Sequence, residues 1–399
     1  MIFQQIICLA LKMSKNKTIC VVITARPSYS RINSVLLHLK KDKTIKLYIL
    51  CSGSALLERY GKVVNLIKQD GFNVINKLPT VVEGDDPINM TMTTANTISS
   101  TSLALQSLRP DFVITIADRY ETIGTAISAA YLGIPLIHIQ GGEITGNIDE
   151  KVRHAVSKLS DFHFVATEKS FKRLVSMGEN PNTVHNAGCP SIDIARNALK
   201  IPFDDVINAV KFHGAGINLN LKEDYIVVLA HPETDSYSKS FERMQTLLKV
   251  IANLQLQSII LWPNVDAGSD STSKAIRIAR ESKNLDNSIF IKNLEGDIFL
   301  KLLDNSKCLI GNSSVGIRES AFLGTPVVNI GDRQIGRESS NNVIHCEWSE
   351  EEIYKSIEYQ LMEGKYSSSN IYGDGLSGER IAKIIQNLSP NIDFKVFYE

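Results

Sequence analysis

Cys308-Leu-Ile-Gly-Asn-Ser-Ser-Val-Gly-Ile-Arg-Glu-Ser-Ala-Phe-Leu-Gly-Thr-Pro-Val-Val-Asn-Ile330 reads as one supersecondary unit. An apolar strand over 308–310 runs into the hydroxyl-rich turn Gly311-Asn-Ser-Ser314. A helix follows, Gly324 and Pro326 end it, and a second apolar strand begins at Val327. Strand, turn, helix, strand with uninterrupted apolar strands is the repeating unit of a parallel sheet covered on both faces. The turn also has a chemical reading. Free backbone N–H groups and the hydroxyls of Ser313 and Ser314, at the positive end of a helix dipole, suit a phosphate. Glu319, within the first two helical turns, is placed to accept hydrogen bonds from sugar or ribose hydroxyls. The basic loop Asp332-Arg-Gln-Ile-Gly-Arg337 that follows favours an anionic ligand over an ordinary serine-capped helix.

The same rhythm runs along the rest of the chain. Residues 19–24, 47–51, 112–116 and 136–139 read as strands, with helices over 29–39, 57–69, 92–108 and 121–132. It restarts with strands over 225–229, 258–262, 289–291, 308–310 and 327–330. Such a pattern predicts an α/β protein with two Rossmann-like doubly wound domains. At 399 residues the chain is too long for one compact core and fits two. The expected division is an N-terminal extension over 1–16, an N-terminal domain over 17–200 and a C-terminal domain over 201–376, with the join around Gly188 to Asn220. A last stretch, 377–399, carries a helix expected to pack back across that join.

Composition narrows the partners. Lysine plus arginine equals aspartate plus glutamate, 43 each, so no global field draws the chain to nucleic acid or a membrane, and an anion must be met by local arginines. Six cysteines, Cys8, Cys20, Cys51, Cys189, Cys308 and Cys346, are scattered without a CxxC pair. That suits reduced thiols better than a disulfide framework or a zinc site. The apolar run Ile2 to Leu11 lacks a preceding basic residue and a small-residue cleavage site, and it is too short to span a bilayer. A soluble, cytoplasmic protein is expected, with Met13 as a candidate start.

In open parallel sheets ligands collect beyond the carboxyl ends of the strands. After the first strand comes Thr24-Ala-Arg-Pro-Ser-Tyr-Ser30, in which Arg26 and Ser30 suit a phosphate or a sugar face, and there is no GxGxxG fingerprint for a nicotinamide cofactor. Asp118 and Arg119 follow the strand over 112–116. His138-Ile-Gln-Gly-Gly-Glu143 follows next, then Asp149, Arg153 and His154 at the opening of a helix. Right-handed crossovers put these strand ends on one rim, so Asp118, Gln140, Glu143 and Asp149 are expected to converge. Several carboxylates in one pocket serve proton abstraction and donation, because burial and like charge separate their pKa values. In the second half His231-Pro-Glu-Thr234 and Trp262-Pro-Asn-Val-Asp-Ala-Gly268 follow strands. His231 suits neutralisation of a diphosphate, and Asn264 and Asp266 suit hydroxyls. No Asp-x-Asp, HExxH or His/Cys cluster occurs, so no metal or other cofactor is expected.

Taken together, these residues resemble the hydrolysing UDP-N-acetylglucosamine 2-epimerases of sialic-acid biosynthesis, both the bacterial single-function enzymes and the epimerase half of the bifunctional animal epimerase/kinase. The resemblance runs from about Lys17 to Gln386. It rests on Asp118-Arg119, on His138-Ile-Gln-Gly-Gly-Glu143 with Asp149 and Arg153-His154, and on Gly188-Cys-Pro-Ser191. His231-Pro232, Pro263-Asn264 to Gly268, and Gly311 to Ser340 complete it. It implies a glycosyltransferase-B-like architecture, two Rossmann-like domains facing a cleft that holds a UDP-sugar, with the carboxylates on the N-terminal domain and UDP on the C-terminal one. By motif, Arg26, Ser30, Arg119, Asn264, Ser313, Ser314, Glu319 and Arg333 bind substrate, together with Arg153, Asp266 and His231, the last also catalytic. Asp118, His138, Gln140, Glu143 and Asp149 then lie near the reacting sugar carbons. The chain departs from the pattern at Gln140, where many relatives carry Glu and some His, and an amide takes no proton in the ordinary way.

The implied reaction is elimination then hydration, releasing UDP and a free manno-configured sugar. Gln140 and the loop Arg26 to Ser30 resemble the branch acting on 2,4-diacetamido-2,4,6-trideoxy sugars that feed legionaminic-type nonulosonates. Further copies of the chain, in a dimer or tetramer, are the expected protein partners. A glycosyltransferase of the same fold, a non-hydrolysing epimerase and a non-catalytic nucleotide-sugar sensor are the competing readings.

Overall fold

The strands assemble into two parallel-dominated sheets of seven, in a computed structural model that describes residues 16–58, 61–84, 86–145, 148–263, 268–282 and 285–399. Residues 1–15 of the expected N-terminal extension, and the site candidates Asn264 and Asp266, lie outside the described residues. The first sheet contains β1 (Lys17–Ile23), β2 (Ile45–Ser52), β3 (Val74–Leu78), β4 (Phe112–Ile116), β5 (Leu136–Ile139), β6 (Phe162–Val165) and β7 (Val184–Asn186). Its order is β3-β2-β1-β4-β5-β6-β7. The second contains β8 (Gly214–Gly216), β9 (Tyr225–Leu229), β10 (Gln257–Leu261), β11 (Ser288–Ile291), β12 (Cys308–Gly311), β13 (Val327–Ile330) and β14 (Val343–Cys346), in the order β14-β13-β12-β9-β10-β11-β8. Every pairing is parallel except β8 with β11.

The central strands are continuous apolar runs because both of their faces are covered. Each residue of β4 and of β9 is buried. The two sheets share a topology: the chain winds outward from the first strand, then returns to that strand's other side. The order therefore reverses between β1 and β4 and again between β9 and β12, and at each reversal the loops diverge and leave a crevice at the carboxyl edge.

Several elements escape a reading by periodicity, each for a physical reason. Polar residues interrupt β6 and β14 at His163 and His345. His163 is tolerated inside because Glu179 accepts its Nε2 at 2.9 Å. The edge strand β3 is half exposed and carries Lys77. The helix expected over 57–69 begins only at Val63, since Gly61 and Lys62 are both left-handed (φ 82° and 38°), and a 3-10 turn, Gly53–Leu56, precedes the segment. The segment from Gly188 to Asn220, read as a polar join, contains the helices Pro190–Ala198 and Phe203–His213 and the strand β8.

The last helix, Ser377–Asn387, packs on the helix Arg26–Lys41 of the first half. Its residues Ile381, Ala382 and Ile385 enter the same core as Ile32, Val35, Leu36 and Leu39. Both of its ends are capped from far along the chain. Asp193 accepts the backbone N–H groups of Ser377 (2.9 Å) and Gly378 (2.6 Å) and the Ser34 hydroxyl (2.8 Å), and Lys17 Nζ donates to the carbonyls of Ile385, Gln386 and Leu388 at 3.0, 2.7 and 2.8 Å. These satisfy backbone groups that a helix leaves open at its termini. The chain thus passes between the halves twice, and the two crossings touch: Cys189 N–H donates to Tyr372 O at 2.7 Å. No helix among the described residues is long and apolar enough to cross a membrane.

Beyond the last helix the tail returns to the first half. Lys395 pairs with the buried Glu179 at 2.6 Å, beside Lys158 at 2.7 Å, and also donates to Ser157 O (3.2 Å) and Ser160 O (2.5 Å) at the end of the helix Ile148–Leu159. Burial alone pushes the Glu179 carboxyl up, but His163 and the two lysines hold it at about 2, below its ordinary 4.5. A depressed carboxyl contributes stability that is complete above its unfolded pKa and is lost as the pH falls towards its folded one. We therefore predict that Lys395→Met lowers stability by about 1–3 kcal/mol at neutral pH. The deficit should shrink between pH 4.5 and pH 2. Urea denaturation across that range checks it, and an unchanged midpoint at neutral pH contradicts the tail contact.

Candidate active site

The crevices of the two sheets open onto one cavity of about 600 Å³. On the second sheet, β12 ends at Gly311, whose φ of 143° suits glycine and where a β-carbon would collide with the Leu229 carbonyl. The close approach lets the next side chain continue the ladder. Asn312, fully buried, accepts His231 N–H through Oδ1 at 2.7 Å and donates through Nδ2 to His231 O at 2.9 Å. The Asn312 carbonyl in turn accepts Gln334 Nε2 (2.9 Å) and Arg333 Nη1 (3.3 Å). The basic loop after β13 is thereby tied to the Ser313-Ser314 turn and to the loop after β9.

The helix expected after that turn is broken. Arg318 divides it into Ser314–Ile317 and Glu319–Leu323, so the dipole available at Ser313 is that of a single turn. Attraction for an anion at this edge therefore falls mainly on arginines and hydroxyls.

Of the residues singled out in the sequence, Arg26, Ser30, Arg119, His231, Ser313, Ser314, Glu319 and Arg333 all line the cavity. Arg26 reaches across it to donate to Leu294 O at 2.9 Å. Arg119 is held by the buried Glu121, Nε to Oε2 at 3.1 Å and Nη2 to Oε1 at 3.2 Å, and lies over the Tyr120 ring.

The carboxylates expected to converge, Asp118, Glu143 and Asp149, do not line this cavity. Asp118 and Glu143 sit behind its wall in a cluster of buried charges. Asp118 follows Ala117, which is left-handed (φ 63°), and is paired with Arg153, with Arg337 at 3.4 Å and more loosely with Arg31 at 3.9 Å. The Glu143 carboxylate is paired with Arg337 at 3.1 Å and Arg318 at 3.3 Å. Its Oε1 is buried without a hydrogen-bond partner. Burial pushes both carboxyls up, and the facing arginines overcome it: Arg153, Arg337 and Arg31 hold Asp118 far below the carboxylate range, and Arg318, Arg337 and Arg153 depress Glu143. The Ser314 hydroxyl connects cluster and cavity, accepting Arg318 Nη2 at 2.9 Å and Arg31 Nη2 at 3.2 Å.

Arg153 is wholly inside this cluster. It donates to Asp118, to Glu143 O at 2.9 Å and to Thr145 Oγ1 at 3.3 Å, and it does not line the cavity. Asp149 is half-buried in the first turn of the helix Ile148–Leu159 and adds to the negative field around Arg153.

His138 and Gln140 are not brought to the carboxylates in the way the sequence suggested. His138 lies fully buried within β5, Nε2 donating to Ala117 O at 2.9 Å and Nδ1 accepting the Ser157 hydroxyl at 3.1 Å. Burial pulls its pKa down to about 3, so it is a neutral brace for the turn that carries Asp118. Gln140, left-handed at φ 67°, points its amide nitrogen at Cys189 Sγ, 2.8 Å away, and leaves Oε1 buried without a partner. Among the described residues no group of three or more His, Cys, Asp or Glu side chains is arranged to hold a metal ion.

Arg31, Arg318 and Arg337 were absent from the sequence-derived set. Arg318 carried a usable signal, an arginine between Ile317 and Ala321 on an apolar helical face. Arg31 carried a weaker one, one residue past Ser30. Arg337 belongs to the basic loop Asp332 to Arg337, but nothing local marks it as the cation that faces the carboxylates.

A family model described as UDP-N-acetylglucosamine 2-epimerase matches residues 37–386. The UDP-N,N'-diacetylbacillosamine 2-epimerase (hydrolyzing) of Legionella pneumophila is 33% identical over 93% of this chain and 96% of its own length. The GDP/UDP-N,N'-diacetylbacillosamine 2-epimerase (hydrolyzing) of Campylobacter jejuni is 32% identical over 84% of this chain and 85% of its own. The crystal structure of UDP-GlcNAc 2-epimerase from Neisseria meningitidis bound to UDP-GlcNAc matches with a TM-score of 0.75 at 20% identity, covering 93% of this chain and 100% of that one. The last is a likeness of fold, and it assigns the α/β, glycosyltransferase-B-like architecture.

The Asn312 bridge yields a prediction. Asn312→Ala removes two buried hydrogen bonds to the His231 backbone, which should cost about 2–4 kcal/mol. Denaturant unfolding measures it; a loss below about 1 kcal/mol would mean that the two crevice loops hold together without Asn312.

Proposed function

The chain belongs to the UDP-N-acetylglucosamine 2-epimerase family, and on that premise we propose that it is a hydrolysing 2-epimerase acting on a UDP-linked 2-acetamido sugar. UDP-N-acetylglucosamine and its 2,4-diacetamido-2,4,6-trideoxy counterpart are the substrates of this reading. The names and identities of the Legionella and Campylobacter relatives favour the second. The product is a free manno-configured sugar, of use in nonulosonic acid biosynthesis. A cavity of about 600 Å³ is of the size that holds a small-molecule ligand. The buried free thiols Cys20, Cys51, Cys189 and Cys308 favour a reducing, cytoplasmic setting. Further copies of the chain are part of the same reading, supported by the helix Pro87–Leu108, which carries no charged residue and exposes Ile88, Met92 and Leu103.

The observation that carries the proposal is Glu143: a buried carboxylate between two arginines, with one uncommitted oxygen among the described residues, one arginine away from the wall of the cavity. In the proposed reaction the diphosphate lies against Arg26, Arg119, His231, Arg333 and the Ser313-Ser314 turn. Glu143 takes the C2 proton, the C2–H electrons form the C1–C2 double bond, and the C1–O bond breaks with its electrons on UDP. Water then adds across that double bond, its oxygen to C1 and a proton to C2 from the opposite face. Asp118 and Asp149 belong to the proton traffic of this second step. The C2 hydrogen is weakly acidic, so stabilisation of the departing diphosphate by prearranged cations supplies much of the rate. His138 and Gln140 act as supports in this scheme.

Nucleotide binding tests the cavity. Arg119→Ala, His231→Ala and the double change Ser313→Ala with Ser314→Ala should each weaken UDP binding by about 1–3 kcal/mol, the usual loss for a charge-assisted hydrogen bond. Calorimetry with UDP measures this, and unchanged affinity in all three removes the assignment.

Isotopes test the reaction. Turnover in D₂O should place deuterium at C2 of the product, and turnover in ¹⁸O-water should label the C1 oxygen while UDP leaves unlabelled. A glycosyltransferase or a simple nucleotide-sugar hydrolase leaves C2 protonated and in the gluco configuration. A non-hydrolysing epimerase returns the sugar still joined to UDP. Either result refutes the proposal.

A further inference from the structure

Among the described residues, no cation of its own half lies within ion-pair distance of the Glu143 carboxylate. Among the described residues, both of its carboxylate partners, Arg318 (3.3 Å) and Arg337 (3.1 Å), come from the second half. Asp118 is different. It keeps Arg153 and Arg31 from its own half and receives Arg337 in addition, at 3.4 Å. One guanidinium thus spans two buried carboxylates that otherwise repel each other. Its Nε and Nη1 make no hydrogen bond, so the contact with Glu143 is one of charge more than of direction. Arg337 is also set back from the cavity that would take the nucleotide.

We propose that Arg337 is a positioning residue for proton transfer, reaching across the cleft to keep Glu143 ionised beside Asp118 so that its free oxygen can accept a proton from substrate carbon. The proposal rests on the reading that this site removes a proton from the sugar. The groups facing Glu143 are Arg318 and Arg337 from the second half, Arg153 from the helix Ile148–Leu159, Asp118 from the loop after β4, and the Cys189 thiol and Tyr372 hydroxyl from the two chain crossings. Burial pushes the last two up, so both are neutral and offer no compensating positive charge. Without Arg337, burial and the Asp118 charge act on Glu143 against Arg318 and the more distant Arg153, and its carboxyl moves up. A carboxylate ionised mainly by arginines of the facing half is a competent base only while the halves are apposed. That confines carbanion-forming chemistry to the closed, water-poor site.

The test compares wild type with Arg337→Met, which keeps length and removes charge, and Arg337→Lys, which keeps charge. In Arg337→Met the acidic limb of the kcat–pH profile should move up by about one unit or more. Near neutral pH kcat should fall about tenfold or more and recover as the pH rises, with KM changed less than about threefold. Arg337→Lys should restore most of the limb. An unmoved limb, or equal losses in Met and Lys, overturns the proposal. The ionisation of Glu143 is also read without turnover, as the carboxylate infrared band lost between wild type and Glu143→Gln. This holds whether or not the Met variant folds, and it separates the two claims. A wild type that binds UDP but never releases sugar refutes the reaction, whereas a protonated Glu143 in wild type near neutral pH refutes the role of Arg337 whatever the reaction.

Discussion

Arg153 is among the largest fully buried side chains of the molecule, and a guanidinium does not shed its proton to escape burial. It must be neutralised where it stands, and Asp118, with Glu150 at 3.2 Å, does so. From the pair of Arg153 and Asp118 the rest of the centre follows. Asp118 also attracts Arg31 and Arg337, Arg337 reaches Glu143, and Glu143 draws in Arg318. Removing several charges from water is expensive, and the expense is offset only if each finds its partner in good geometry. The network therefore specifies how the two sheets meet: a displacement of one half would strand Arg318 and Arg337 on one side and Glu143 on the other.

The duplicated topology explains why such a network forms at all. Each sheet reverses direction next to its first strand, and each reversal exposes strand ends in a crevice. Set face to face, the two crevices supply the two halves of one site. The first brings acids and the loop Arg26 to Ser30, and the second brings His231, the serine turn and the arginine loop. Asn312 holds the second crevice in shape by acting as a peptide group between β9 and β12, and Ser314 is the point where cavity and charge cluster touch.

The ends of the chain serve the same alignment. The final helix is part of the first core, locked at one end by Asp193 and at the other by Lys17. Glu179, fixed by Lys395 of the tail, faces the helix that carries Asp149 and Arg153. The two adjoining crossings near Cys189 and Tyr372 join the halves, and there Gly188, Gly373 and Gly375 adopt left-handed conformations.

The sequence by itself determined the fold class and the wall of the cavity, because both are written locally. Apolar runs of strand length between helices can only be covered on both faces, and residues just past such strands must emerge at the crevices, which is why Arg26, Arg119, His231 and Ser313 were legible. Strands β6 and β14 were not, since histidines interrupt their apolar runs, and the buried His163 is tolerated only through Glu179, sixteen residues away. Tertiary structure alone decided the centre. It turned Gln140 towards Cys189, made His138 a brace and joined Arg337 to Asp118 across 219 residues of chain. Hydrophobic period and turn chemistry report the neighbours a residue has along the chain, whereas the charge state of a buried carboxylate depends on which cations arrive from the other half.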